Sequence, residues 1–194
     1  MANLFEMFKF SKMLKVEDGN MSLMGVDINI VPTSILCSLQ KGLIDAIGLE
    51  KTYNQIYESA KKGSIEYNSS FIKQQKFVDK RKILDWQAKI LEFGGWGHIE
   101  IAKIDFEKNT LVAHFKQTPF TATYTKLYGK SKGPVDFITA GFNAGGLSVM
   151  AGKDLDVIET KCVSMGDAYC EFEAGPHKVI EAKRKDLWKK WKLI

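Results

Sequence analysis

The sequence predicts an α+β domain in which helices pack on an antiparallel sheet, and three observations support this. Apolar residues recur at steps of three and four through residues 33–63 and 80–93, which is the helical period. They alternate with polar residues through 98–115, which is the period of a strand. The strand patterns follow one another through short turns, as antiparallel neighbours do. We therefore predict a single α+β domain and not a doubly wound parallel sheet.

The first half of the chain is predicted to contain one strand and three helices. The stretch 21–32 is rich in β-branched residues and ends at Pro32, which suits a strand that leads into the first turn of a helix. Three helices follow, each with a glycine as its stop, over residues 33–47, 49–63 and 80–93. The first of them has an apolar face made of Leu36, Leu39, Leu43 and Ile47.

The second half is predicted to alternate hairpins with helices. A β-hairpin is expected over 98–115, turning at the Glu-Lys-Asn sequence that starts at Glu107. A short helix and loop, then a helix rich in small residues, are expected before and after Pro134. A strand, a turn and a strand then run through 157–172. The chain ends in a basic amphipathic helix.

The chain divides into an N-terminal segment (1–19), a main domain (20–175) and a basic C-terminal helix (176–194). The first fourteen residues lack both the basic leader and the apolar run of an export signal. No stretch approaches the roughly eighteen uncharged residues of a membrane span. Three cysteines at irregular spacing make no disulfide framework. Together these features predict a cytoplasmic protein.

The charge of the chain is concentrated at its C-terminus. Residues 178–194 carry seven basic and two acidic side chains, whereas the remaining 177 residues carry 21 of each. A neutral body does not present the broad basic surface of a nucleic-acid-binding protein. We therefore predict no nucleic-acid partner.

The stretch from Glu159 to Cys170 holds two thiols and a carboxylate around a Gly-Asp turn. Side chains alternate along a strand, so Glu159 and Cys162 point opposite ways unless the chain bulges near Thr160 and Lys161. A three-residue loop at 165–167 would lay Cys162 and Cys170 across from each other, with Cβ atoms roughly 4.5–5.5 Å apart. That spacing suits two thiolates bound to one zinc ion.

Spacing alone leaves three interpretations of this stretch open. The two thiols can ligate a metal, form a redox pair, or fill a sheet core as small apolar side chains. A structural zinc site has four ligands, so two cysteines and one glutamate leave one to come from elsewhere in the chain. No nucleophile and base, phosphate-binding loop or dinucleotide fingerprint accompanies them.

Aromatic and histidine side chains of the central region are candidates for lining a small-molecule pocket. They are Trp86, His98, His114, Phe115 and Tyr124. A packed aromatic core explains Trp86 and Phe115 equally well.

Residues 134–175 resemble the C-terminal signature of the 4-vinyl reductase domain family. The shared elements, in order, are Pro134–Val135, Ala140–Gly141 within a small-residue helix, Glu159-x-x-Cys162, Gly166–Asp167 and Cys170-x-Phe172. Upstream helices, a Gly-Trp-Gly turn and a hairpin occur in the expected order, so the resemblance extends over most of residues 20–175.

The resemblance implies a compact fold similar to that of a trafficking-complex subunit. In aromatic-responsive transcription activators of this family, the domain is the effector sensor and binds zinc through three cysteines and a glutamate. The resemblance carries this role to Glu159, Cys162 and Cys170, and Asp136 stands where the family has its remaining cysteine. A carboxylate can bind zinc at about 2.0–2.2 Å, so two thiolates and two carboxylates can complete a site.

We therefore expect a stand-alone small-molecule-binding or sensor domain with a structural zinc ion, acting as a homodimer on a small hydrophobic or aromatic ligand. Two alternatives stay open. The chain can be an enzyme or accessory protein for a vinyl-bearing tetrapyrrole, as the family name implies. It can also be a dimeric interaction module, since similar folds serve as subunits of assemblies.

Overall fold

We describe a computed structural model of the chain, which covers residues 13–23, 25–76, 78–116 and 118–193. Residues 1–12 make up most of the predicted N-terminal segment and lie outside this range, so the prediction that they form no export signal falls outside the described residues. Strands and helices alternate as the sequence predicts, and both sheets are antiparallel. The α+β prediction is confirmed.

A small three-stranded sheet precedes the helices. Its strands are β1 (Leu14–Glu17), β2 (Asn20–Leu23) and β3 (Val26–Asp27). The prediction of one strand over 21–32 was wrong, because the chain turns back at Gly25, which has φ 75°. Leu23 packs against Phe71 and Ile90, so this sheet covers an apolar cluster between two later helices.

Two consecutive helices follow, α1 (Thr33–Ile47) and α2 (Leu49–Gln75). Gly48 separates them with φ 85°, as predicted. The prediction that the second helix ends at Gly63 was wrong, because α2 continues for twelve more residues. The continuation buries Asn68 and Phe71, and burial of a large side chain outweighs the roughly 1 kcal/mol that a mid-helix glycine costs.

The central elements match the prediction closely. Helix α3 (Lys80–Phe93) starts at Asp79, whose side chain accepts hydrogen bonds from the first-turn backbone. The hairpin is formed by β4 (His98–Asp105) and β5 (Thr110–Lys116), and α4 (Pro119–Tyr128) begins with proline in its first turn.

The last elements complete the main sheet. They are α5 (Phe137–Ala151), β6 (Leu155–Lys161), a 3₁₀ turn (Val163–Met165), β7 (Cys170–Pro176) and α6 (His177–Lys190). The four-stranded sheet has the order β4-β5-β7-β6, and every neighbouring pair is antiparallel. Across the described ranges, we find no helix that is both long and apolar enough to cross a membrane.

Helix α5 lies against α2 at unusually short range. A Cβ on Gly141 would overlap the carbonyl oxygen of Tyr57, and one on Gly145 would overlap the carbonyl oxygen of Lys61. Ser64 reaches across this contact and donates a hydrogen bond to the carbonyl of Phe142 at 2.5 Å. The small residues of α5 therefore allow two backbones to meet, as the sequence predicted for this helix.

Asp156 on β6 ties three elements together. Its Oδ1 accepts hydrogen bonds from Lys61 Nζ at 2.7 Å and Tyr57 Oη at 3.0 Å, and its Oδ2 lies 2.5 Å from His177 Nδ1. Burial alone would raise the pKa of Asp156, but the hydrogen bonds from Lys61 and His177 lower it overall. The carboxylate thus joins α2, β6 and the start of α6.

Helix α1 differs from its prediction in the face that it buries. Cys37 and Gln40 are buried, while Leu39, Leu43 and Ile47 of the predicted apolar face are exposed. Leu36 and Ile44 pack against the core on the opposite side. The helix is therefore apolar on both its inner and its outer side.

Substitution of Gly145 by alanine is expected to destabilise the fold by about 2–3 kcal/mol, because the added methyl group must push two backbones apart. Gly63 provides a matched control, since nothing lies within 4 Å of a Cβ added there. Gly63→Ala is expected to stabilise the protein by about 0.5–1 kcal/mol. Urea denaturation measures both changes, and equal effects would contradict the close-packing interpretation.

Substitution of Asp156 by asparagine is expected to cost about 3 kcal/mol, because it removes the charge that buried Lys61 faces. Asp154 also pairs with Lys61 at 2.7 Å but is largely exposed. Asp154→Asn is therefore expected to cost less than about 1 kcal/mol. Thermal or urea unfolding distinguishes the two, and a loss at Asp154 as large as that at Asp156 would refute this ranking.

Candidate functional site

A β-bulge brings Glu159 and Cys162 to the same side of the chain. Glu159 pairs with Phe172 and Lys161 pairs with Glu171, so the register shifts by one residue between them. The shift occurs at Thr160, where the sequence requires a bend if Glu159 is to join the thiols. One carboxylate oxygen of Glu159 and the Sγ atoms of Cys162 and Cys170 consequently lie within 4.8 Å of one another.

The turn between the two cysteines is not the three-residue loop that the sequence suggested. The ladder of β6 and β7 ends at Lys161 and Glu171, and a 3₁₀ turn follows. The backbone N–H groups of Met165 and Asp167 donate to the carbonyl of Cys162, at 2.9 and 3.2 Å. The N–H of Val163 donates to Cys170 Sγ at 3.4 Å. The turn therefore holds both thiols in place.

All the acidic groups of this cluster are buried. Cys162 and Cys170 are fully buried, and Glu159 and Asp136 are 3% and 1% exposed. Burial raises the pKa of Glu159 well above its usual range, and the charged groups that act on it, Cys170 and Asp136, are themselves acidic. Burial likewise raises the pKa of Asp136 to about 7. The cluster concentrates negative charge in the interior.

The two thiols share a proton unequally. A hydrogen bond from Cys162 lowers the pKa of Cys170 to about 6, and the N–H of Val163 also favours the thiolate. The same hydrogen bond and burial raise the pKa of Cys162. Cys37, the third cysteine, lies elsewhere, and burial raises its pKa to about 11.

Asp136 lies beside the cluster but already has a structural role. Its Oδ1 accepts a hydrogen bond from the N–H of Thr139 at 3.1 Å and caps α5. Its own N–H donates to Glu159 Oε2 at 3.0 Å. Asp136 Oδ2 and Glu159 Oε1 are buried and have no hydrogen-bond partner among the described residues. Two thiols and two unpartnered carboxylate oxygens suit a divalent cation, so this cluster could hold a metal ion.

A second feature is an apolar cavity of about 50 Å³ between the main sheet and helices α2, α3 and α5. A single water needs roughly 10–15 Å³, so the cavity holds something larger than one water. All nineteen lining residues are uncharged. They are Tyr67, Asn68, Leu84, Gln87, Ala88, Ile90, Leu91, Ile99, Ile101, Leu111, Ala113, Phe115, Phe142, Asn143, Gly146, Leu147, Val157, Phe172 and Ala174.

The cavity wall carries polar groups that the protein leaves unpaired. Tyr67 Oη and Asn143 Nδ2 are buried without a hydrogen-bond partner among the described residues. Burial raises the pKa of Tyr67, so its hydroxyl stays protonated and can donate. Gln87 and Asn68, by contrast, bond to each other at 2.8 Å. A bound molecule can therefore find two free polar groups in an otherwise apolar chamber.

The sequence named few of the residues around this cavity. Phe115 lines it, but Trp86, His98, His114 and Tyr124 do not. His98 pairs with Glu92 and His114 with Glu171 on the sheet surface. The missed groups are Tyr67 and Asn143, and the available signal was a lone amide between glycines in the small-residue helix.

The comparison with protein families decides the classification. Residues 120–176 match the family model of the vinyl-4-reductase domain. The chain carries a vinyl-4-reductase domain. The matched segment contains Asp136, Glu159, Cys162 and Cys170, so the resemblance to the 4-vinyl reductase family is confirmed.

Other relatives of this vinyl-4-reductase domain extend the match along the chain. An uncharacterized protein of Methanocaldococcus jannaschii is 28% identical over 145 residues, which cover 74% of this chain and 75% of the relative. A solved vinyl-4-reductase family protein from the same organism is 18% identical, with a TM-score of 0.51, covering 76% of this chain and 82% of its own.

Two further solved structures share the fold of the vinyl-4-reductase domain. The phenol-responsive sensory domain of the transcription activator PoxR, solved with phenol, has a TM-score of 0.79 at 16% identity and covers 91% of both chains. The trafficking protein particle complex subunit 3 from Naegleria fowleri, covalently bound to palmitic acid, has a TM-score of 0.50 at 12% identity. That match covers 74% of this chain and 93% of the other. The predicted likeness to a trafficking subunit is confirmed at the level of the fold.

Proposed function

We propose that this protein is a sensor or binding domain for a small, uncharged aromatic molecule. The observation that carries the proposal is the apolar cavity with two unpaired polar groups, Tyr67 Oη and Asn143 Nδ2. An apolar interior excludes a charged ligand, because no lining side chain can offset the loss of its hydration. A ring with one polar substituent meets both demands of the chamber.

The fold likeness to the PoxR sensory domain supports this choice of ligand class. That domain was solved with phenol, a single ring with one hydroxyl. In the present chain, the phenolic ring would contact side chains such as Leu84, Phe142 and Phe172. Its hydroxyl would exchange water for Tyr67 and Asn143, so the pair would be satisfied only in the bound state.

Helices α2, α3 and α5 and the sheet all contribute to the cavity wall, which suggests how binding would be sensed. Filling the chamber adds contacts to every element at once and stabilises the arrangement in which they close around the ligand. A partner that reads the spacing of these elements would then respond to the ligand.

Phenol is expected to bind the purified protein and to raise its melting temperature. Tyr67→Phe is expected to weaken binding about tenfold, because it removes one hydrogen bond without changing the shape of the chamber. Isothermal titration calorimetry measures both. The same substitution at Tyr169, which stacks on His114 outside the chamber, is the matched control and is expected to leave the affinity unchanged.

Two results would contradict the ligand proposal. The first is that phenol, cresol and catechol all fail to bind at millimolar concentration. The second is that Tyr67→Phe and Tyr169→Phe change the affinity equally, which would place binding elsewhere. Catechol and cresol differ from phenol by one added group, so their relative affinities also measure the room that remains beside Tyr67 and Asn143.

We also propose that Glu159, Cys162 and Cys170 hold a structural zinc ion, with Asp136 as the fourth ligand. The support is the buried donor set, its acidic surroundings and the two unpartnered carboxylate oxygens. A zinc ion would neutralise the buried charge and would join β6, β7 and the start of α5. Its role in this proposal is to clamp these elements, and no reaction is assigned to it.

Protein purified without chelator is expected to contain one zinc ion per chain, measured by plasma mass spectrometry. Cys162→Ser with Cys170→Ser is expected to abolish binding, whereas Cys37→Ser keeps the metal. At a free metal concentration 1,000-fold above Kd, binding adds about 4 kcal/mol to stability. Affinity is expected to fall as the pH falls, because the raised pKa values of Glu159 and Cys162 let protons compete.

The fourth position is tested separately with Asp136→Asn. Asparagine keeps the helix cap that Asp136 provides but removes its charge. A role as ligand predicts at least tenfold weaker zinc binding with the fold unchanged. An unaltered affinity would remove Asp136 from the site, and metal-free wild-type protein would refute the zinc site altogether.

We further propose that the protein acts as a homodimer in the cytoplasm. The three cysteines are free and buried, which suits a reducing compartment. A dimer gives a sensor domain a second chain whose position can change when the ligand binds.

A further inference from the structure

The outer face of α1 is apolar although it lies at the surface. Ile35, Leu39, Leu43 and Ile47 follow one another at steps of four and are 49%, 62%, 40% and 42% exposed. Leu36 and Ile44 on the other side of the helix pack against the core. A helix that is apolar around most of its circumference is normally covered on all sides, so this outer face is suited to a docking contact.

Exposed apolar side chains are concentrated at this place. Thirteen large apolar residues in the described part of the chain are exposed, and six of them lie between Ile30 and Ile47. Tyr128 of α4 is also exposed and adjoins this face, since its hydroxyl lies 2.9 Å from Ser38 Oγ. With roughly 200 Å² for a fully exposed large apolar side chain, these seven residues present roughly 700 Å², close to the ~800 Å² per partner of a standard interface.

The charges at the edge of the face cancel one another. Lys41 and Asp45 form an ion pair at 2.5 Å within α1, and no other acidic or basic residue occurs between Thr33 and Ile47. The face therefore offers nothing to attract an acidic or a basic partner. A surface without net charge matches another surface of the same kind.

Gly42 gives the face its shape. It is exposed near the middle of α1, and a Cβ added to it would have no atom within 4 Å. A glycine in the middle of an apolar helix face leaves a shallow groove, which lets a second helix approach closely. The ridge of Leu39 and Leu43 beside this groove is complementary to it.

We propose that the outer face of α1 packs against the same face of a second copy, with the two helices crossing near Gly42 about a two-fold axis. A two-fold contact requires one patch that is complementary to itself, and an uncharged apolar ridge beside a central groove meets that requirement. The inference rests on the homodimer proposed above and assigns its contact surface.

The test compares the masses of full-length, metal-loaded variants by analytical ultracentrifugation over a range of concentrations. Wild-type protein is expected at twice the chain mass. Leu39→Glu with Leu43→Glu is expected at the single-chain mass, with a dimer dissociation constant at least 100-fold higher. Val179→Glu on α6 is the matched control, because Val179 is 59% exposed outside this face, and it is expected to remain dimeric.

Gly42→Leu guards against a variant that simply fails to fold. Leucine favours the helix more than glycine and meets no atom within one chain, so the monomer keeps its stability. It fills the groove, and the dimer dissociation constant is expected to rise at least tenfold while the circular dichroism spectrum is unchanged.

The outcomes separate this inference from the proposals on which it rests. A monomeric wild type overturns both the homodimer and its surface, and leaves the phenol and zinc experiments unaffected. A dimeric wild type whose Leu39/Leu43 and Gly42 variants also stay dimeric overturns the surface alone. Monomeric wild type that floats with phosphatidylcholine vesicles, and loses this ability with Leu39→Glu, assigns the face to a lipid surface and overturns the proposal.

Discussion

The close contact between α2 and α5 is the constraint on which both candidate sites depend. Gly141 and Gly145 let the backbone of α5 rest against the carbonyl groups of α2, and Ser64 bonds across the contact. That contact fixes the height and rotation of α5. Asp136 is then held at its start beside the thiols, while Asn143 and Gly146 face the cavity further along. A helix with larger side chains would move both sets of groups outward.

Much of the fold could be predicted because its boundaries are set by local chemistry. Gly48, Asp79 and Pro119 start or stop helices through their own backbone and side-chain preferences, and the structure confirms them. Gly63 was misinterpreted because its effect on the helix is small compared with the burial of residues further along α2. The outer face of α1 was misassigned for a related reason, since spacing identifies an apolar side but not what covers it.

The two candidate sites differ in how far sequence could reach them. The donors Glu159, Cys162 and Cys170 lie within twelve residues, so strand parity predicts that a bulge is needed to bring them together, and the bulge is present. The cavity is assembled from three helices and four strands, and its polar groups are far apart in the chain. Only the packing of α2 on α5 brings Tyr67 and Asn143 into the same chamber, and no local pattern records that.

The bulge at Thr160 acts as a shift of reading frame within a strand. Before it, Val157 points into the cavity and Glu159 follows on the same face of β6. After it, the parity of the strand is reversed, so an odd separation in sequence becomes a shared location in space. One strand can thereby supply its first half to the chamber and its end to the thiol cluster. Removal of a single residue from this strand would restore regular alternation and would send Cys162 to the opposite face, although every residue of the cluster would still be present in the chain.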